Sequence, residues 1–151
     1  MNNTDFKQLS LDIRVFASYY NKWMDENDIK QSVNRIMSAC VQNSSTDNTN
    51  LFSLIYQICK LILLEDWCST NSGSLKIRQI GSALNTLINF TNEEGYIRTD
   101  TIDVHDYTSV CKAMLSICNI LDGAMSYIPY IVKDDIGLCT LYVLKNLKEK
   151  E

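Results

Sequence analysis

The sequence predicts an all-α fold, and three observations carry that expectation. One proline, Pro129, and five glycines in 151 residues leave long segments without a breaker, which favours helices over many short strands. Apolar residues recur three and four positions apart along those segments, the stripe by which a helix meets a core. Apolar residues make up 46% of the chain and charged ones 21%. A chain of this length buries roughly 70% of the surface that its unfolded form exposes. The expected organisation is a single domain over residues 1–151, with six or seven helices, no internal repeat, and no need of a metal or a disulfide.

The first helix follows Thr4 or Asp5, either of which can cap it, and carries Phe6, Leu9, Ile13, Phe16, Tyr20 and Trp23. A second follows Asp25 or Asp28, with Ile29, Val33, Ile36, Met37, Cys40 and Val41 on its stripe, and the polar run 43–50 ends it. Residues 51–67 are apolar on nearly every face, which fits either one central buried helix or two short ones. A loop over 67–73 leads to a helix starting at Ser74, striped with Ile77, Ile80, Leu84, Leu87 and Ile88, in which Gly81 and Ala83 permit close packing. Glu93, Glu94 and Gly95 end that helix, and 96–101 forms a short extended connection. The next helix begins near Asp103 and runs through Tyr107, Val110, Cys111, Met114, Cys118 and Leu121. Pro129 interrupts the following apolar run, and Asp134 or Asp135 caps a final helix bearing Ile136, Thr140, Val143 and Leu147.

Catalytic chemistry finds few residues to name. His105 is the only histidine, so a zinc site would need thiolates, and no Cys-x-x-Cys pair occurs. The six cysteines (Cys40, Cys59, Cys68, Cys111, Cys118, Cys139) fall mostly on apolar faces, where a thiol acts as a small hydrophobe. Cys111 and Cys118 are expected in a core stripe, and His105 at a solvated helix start. The adjacent acids Asp25-Glu26, Glu65-Asp66, Glu93-Glu94 and Asp134-Asp135 lie near helix ends, where capping is their natural work. No glycine-rich phosphate loop is present. Ser72-Gly73-Ser74 offers backbone N–H groups to an anion at a helix start, but a plain helix start is the better reading. A net charge of −4 and the lack of a basic block speak against nucleic acid. The polar start of the chain implies a reducing compartment, so the sequons at Asn2, Asn43 and Asn89 are chance matches. No cofactor is expected. The apolar run 51–64 is too short to span a bilayer. Together with Met37, Cys40 and Val41 it carries apolar surface that is either all core, the reading that composition favours, or the wall of a groove that takes a partner helix.

The segments Val33-Asn-Arg-Ile-Met-Ser-Ala-Cys40, Leu51-Phe-Ser-Leu-Ile-Tyr56 and Ser74-Leu-Lys-Ile-Arg-Gln-Ile-Gly-Ser-Ala-Leu-Asn-Thr-Leu-Ile88, in this order, resemble poxviral Bcl-2-like apoptosis inhibitors. Gly73, Ser74, Leu75 and Lys76 stand where that family opens its central helix. The resemblance implies a Bcl-2-like bundle of six to eight helices around a buried central helix. It also implies a surface groove that sequesters the amphipathic death-promoting helix of pro-apoptotic Bcl-2 relatives, and so blocks mitochondrial permeabilisation. By position, Ile36, Met37, Cys40 and Val41 would line one groove wall, and Leu51, Ile55 and Ile58 its floor and far wall, with Ile80 in the same set. Lys76 would meet the ligand's aspartate, with Arg78 as the fallback. The implied setting is the host cytoplasm or the mitochondrial outer surface, as a peripheral protein and as a monomer or homodimer. Three departures open a second reading. Asn-Trp-Gly-Arg is absent, the stretch from Tyr56 to Ser74 is short for the family, and the sequence ends in Lys148-Glu-Lys-Glu without an anchor. They suit the anchorless poxviral Bcl-2-like proteins that block host innate immune signalling through surface contacts.

Overall fold

Each helix begins where a side-chain oxygen can take a backbone N–H that the helix itself leaves unpaired. The computed structural model describes residues 1–44, 46, 49–98, 101–124, 132 and 137. Helix α1 (Asn3–Ser18) starts behind Asn2, whose Oδ1 accepts from the Asp5 N–H at 2.8 Å, so neither Thr4 nor Asp5 is the cap. Helix α2 (Glu26–Asn43) follows Asp25, which accepts from the Asn27 N–H at 2.9 Å. Asn50 caps α3 (Leu51–Leu64) through the Phe52 and Ser53 N–H groups. Thr70 caps α4 (Asn71–Asn89) through the Gly73 N–H at 2.9 Å, so this helix starts three residues before the expected Ser74. Asp103 and Asp106 cap α5 (Val104–Leu121) with a reciprocal capping box.

These five helices correct the expected bundle of six to eight. The described residues form an all-α fold of five helices with no strand, only an isolated antiparallel bridge between Thr91 and Ile97. The apolar run after Asn50 makes one helix where the sequence allowed two. Leu51, Phe52, Leu54, Ile55, Ile58, Cys59, Leu61 and Ile62 of α3 are all buried, which leaves no face on which a second short helix would need to turn. After Glu65 the chain passes through Asp66 in the left-handed conformation (φ +54°) into a single 3-10 turn, Trp67–Ser69. Of the final helix expected over 136–147 only Gly137, helical and exposed, is among the described residues, and Pro129 and Cys139 lie outside them.

Helix α1 packs against α4 and α2, α2 against α3, and α4 against α5, while the 3-10 turn touches α2, α3 and α4. Helix α4 thus lies between α1 and α5 with one side left to solvent. The α1–α4 crossing is set by Gly81. A Cβ there would stand 2.4 Å from the Ala17 nitrogen and 2.5 Å from the Phe16 carbonyl carbon, so the two backbones are closer than any side chain would permit. One core joins residues of all five helices with Ile97, Ile102 and Val132.

Helix α4 stops at Asn89, short of the expected Glu93–Gly95 terminus, and a tight turn over 91–97 follows. Gly95, at φ +95°, accepts the Leu51 N–H on its carbonyl at 2.7 Å. The Asn50 amide donates to the Glu94 carbonyl at 2.9 Å. The first turn of α3 is therefore tied to the α4–α5 connection. No helix among the described residues is long and apolar enough to cross a membrane.

Candidate functional site

The residues expected to line a groove do not share an open surface. Ile36, Cys40, Leu51, Ile55, Ile58 and Ile80 are buried in the core, because α2 packs directly on α3, and α4, which carries Ile80, on α1 and α5. Met37 is half-buried, and Val41, at 49% exposed, faces outward at the end of α2. Lys76 lies over the Trp67 ring with its Nζ 5.0 Å from the centroid. Arg78 lies instead over the ring of Tyr20, its Cζ 4.7 Å from the centroid.

Arg78 marks a different site, built on the turn between α1 and α2. Helix α1 ends at Ser18, before the expected stripe is complete, so Tyr20 and Trp23 are not helical. The Trp23 and Met24 N–H groups both donate to the Tyr20 carbonyl at 2.9 Å. That tight turn folds the Trp23 indole back on the Tyr20 ring, the centroids 5.2 Å apart and the planes 28° from parallel. Tyr19 takes the core position instead: it is buried, and its hydroxyl donates to the Cys68 carbonyl in the 3-10 turn at 2.8 Å. Asn21 donates from its side chain to Asn71 at the start of α4. Together these bonds hold the turn against α4, and Asn71, Ser74, Leu75 and Arg78, spaced as neighbours on one helical face, complete a recess of about 210 Å³ with Tyr19, Tyr20, Asn21 and Lys22. Trp23 is 81% exposed and Leu75 45%. A larger and more open hollow of about 600 Å³ near the 91–97 turn includes Arg98, whose guanidinium already donates to the Asn89 carbonyl at 2.6 Å.

The remaining reactive groups have structural work. Burial pushes the Cys40 thiol up to about 12 and Cys68 to about 11. It also raises Cys59 well above the ordinary thiol value, with the Cys40 and Cys68 thiols adding to the effect, so all three stay protonated and poorly nucleophilic. Cys111 and Cys118 were expected in the core stripe of α5 but flank it, half-buried, while Val110, Ala113, Met114 and Ile117 face inward. His105 is exposed in the first turn of α5. Glu26 sits below the usual carboxylate range because Lys30 and then Ser69 donate to it, the Lys30 contact being an ion pair of 2.8 Å. Gly73 lies inside α4 with its N–H taken by Thr70, so it has no N–H to offer the anion considered for Ser72-Gly73-Ser74. Among the described residues no three His, Cys, Asp or Glu side chains are grouped to hold a metal ion.

The sequence carried a signal for the turn: Asn21 and Lys22 interrupt the apolar stripe just ahead of the Asp25 cap. Tyr20 and Trp23 mask it, because they continue the helical spacing through those two residues. Compared with models of protein families, with curated proteins and with solved structures, the chain matches none.

Proposed function

We propose that this chain is an interaction protein, not a catalyst, and that it acts through its outer surface at the recess of Tyr20, Leu75 and Arg78 and the Trp23 indole stacked on that Tyr20. The cellular role we assign to it is inhibition of host innate immune signalling, the surface-contact reading among those its poxviral resemblance offers. The observation that carries the proposal is the indole of Trp23, 81% exposed yet held in one place by its stack on Tyr20. Large fixed aromatics beside an arginine are the usual anchors of protein interfaces, and a Trp left in water without a partner is a standing loss of burial energy. Capture of a death-promoting helix between α2 and α3 would require uncovering Ile36, Cys40, Ile55 and Ile58, and each large aliphatic side chain returned to water costs about 1.5–3 kcal/mol.

The test is expression of the full chain in cells carrying an innate-signalling reporter, beside a survival assay after a death stimulus. The chain should lower reporter output. Trp23→Ala combined with Leu75→Ala should restore it while leaving the thermal melt nearly unchanged, since neither side chain belongs to the buried core. Protection from the death stimulus without an effect on the reporter, together with binding of death-promoting helix peptides, would overturn the proposal in favour of the groove.

A further inference from the structure

We infer that the recess beside Tyr20 binds a carboxylate, and that the partner is a protein segment carrying an Asp or Glu directly beside a large apolar residue. The acid would pair with Arg78 and Lys22, and the apolar group would lie against Trp23 and Leu75. This inference rests on the surface-contact reading above and adds the chemistry of the partner.

The chain as a whole carries −4, yet the lining of this recess contains two cations and no anion. The acids nearest along the chain are committed elsewhere: Asp25 caps α2, and Glu26 is paired with Lys30 and accepts from Ser69. Apart from the Tyr20 hydroxyl, the neutral polar side chains are likewise paired, Asn21 with Asn71, the Ser74 hydroxyl with the Asn71 carbonyl at 2.8 Å, and the Tyr19 hydroxyl with the Cys68 carbonyl. Arg78 and Lys22 have neither an ion pair nor a hydrogen bond among the described residues.

A guanidinium lying over an aromatic ring spends its face on the contact and keeps its N–H donors around its rim. Arg78 can therefore take a carboxylate edge-on through two parallel hydrogen bonds without leaving Tyr20. The stack also limits the rotamers that the long side chain would otherwise lose on binding. Lys22, a flexible point charge at the margin of the recess, adds attraction without geometry. The apolar requirement comes from Trp23 and Leu75, which present hydrophobic surface beside the cations. A basic segment would be repelled here, and a purely polar acidic one would leave the indole in water.

The experiment selects a display library of random peptides of about twelve residues on the immobilised full chain, with Arg78→Gln as the parallel target. The result expected is enrichment of Asp or Glu adjacent to Leu, Phe or Trp, lost on Arg78→Gln. In fluorescence anisotropy the enriched peptide should bind about ten- to a hundredfold more weakly when its acid becomes the amide, as for loss of a charge-assisted pair. Arg78→Lys should recover only part of that loss and Trp23→Ala should also weaken binding. Selection of peptides without an acid, or the same selection on Arg78→Gln, would overturn the inference. Tighter binding when phosphoserine replaces the acid would also overturn it, by making phosphate the ligand. So would a dimer in sedimentation that Trp23→Ala dissolves, by making a second copy of the chain the occupant. If the peptides fail while Trp23→Ala still abolishes reporter inhibition, the carboxylate falls and the surface-contact reading stands; if both fail, both fall.

Discussion

Tyr19 and Tyr20 are neighbours in sequence with opposite surroundings. Tyr19 is buried and hydrogen-bonded to Cys68, while Tyr20, half-buried, carries an indole and a guanidinium on its ring. The difference follows from where α1 stops: a helix continued through Tyr20 would have turned Tyr19 to solvent and sent Tyr20 to the core. The cysteines show the same dependence on position. Cys40, Cys59 and Cys68 are buried, Cys111 and Cys118 half-buried, and none of the five is in a disulfide. Iodoacetamide at neutral pH should therefore modify Cys111 and Cys118 in the native protein and leave the other three until denaturant is added. Peptide mapping by mass spectrometry reads this directly, and early modification of Cys59 would contradict the packing.

At the scale of elements, α4 depends on one residue. Alanine has the higher helix propensity, by about 1 kcal/mol over glycine, but at position 81 its Cβ would meet α1 backbone that cannot swing aside. Gly81→Ala should lower stability by about 1–3 kcal/mol net, read as a shifted urea midpoint with unchanged slope. Gly123→Ala, where a Cβ meets nothing within 4 Å, should stay within about 0.5 kcal/mol. The close approach at Gly81 was legible in the sequence, as were the stripe of α2, the Asp25 cap and the α5 start at Asp103, because each depends on residues a few positions apart. The seam between α2 and α3 was not. A stripe shows that Ile36 and Cys40 face something apolar, and a groove and a core ask for the same residues. The recess was invisible for the converse reason: Arg78 and Tyr20 are 58 positions apart, and only the α1–α4 crossing brings them together. The resemblance made Arg78 the fallback for a ligand carboxylate, and the proposal here gives it that role on another face.

The whole molecule has a pH dependence set by its core. Cys40, Cys59, Cys68 and Tyr19 all keep their protons beyond the ordinary thiol value of 9.0 or phenol value of 10.0, burial being the largest cause in each. The unfolded chain loses those protons first and so binds fewer of them. Stability is then intact below about pH 9 and falls as pH climbs toward 12, by about 1.4 kcal/mol per pH unit for each proton of difference. Urea titrations at neutral pH and at successive alkaline values should show this decline, and a flat profile would mean that the thiols are not buried together. The tie between Asn50 and Glu94, 44 residues apart, bears on how the chain is made. Helix α3, the most apolar of the five, starts to leave the ribosome while the residues that secure its first turn are still inside it. Until the 91–97 turn arrives, its first turn is unsecured and its hydrophobic faces depend on α2 and the 3-10 turn for cover. The nascent chain, more than the finished protein, is where aggregation threatens and where a chaperone would be engaged.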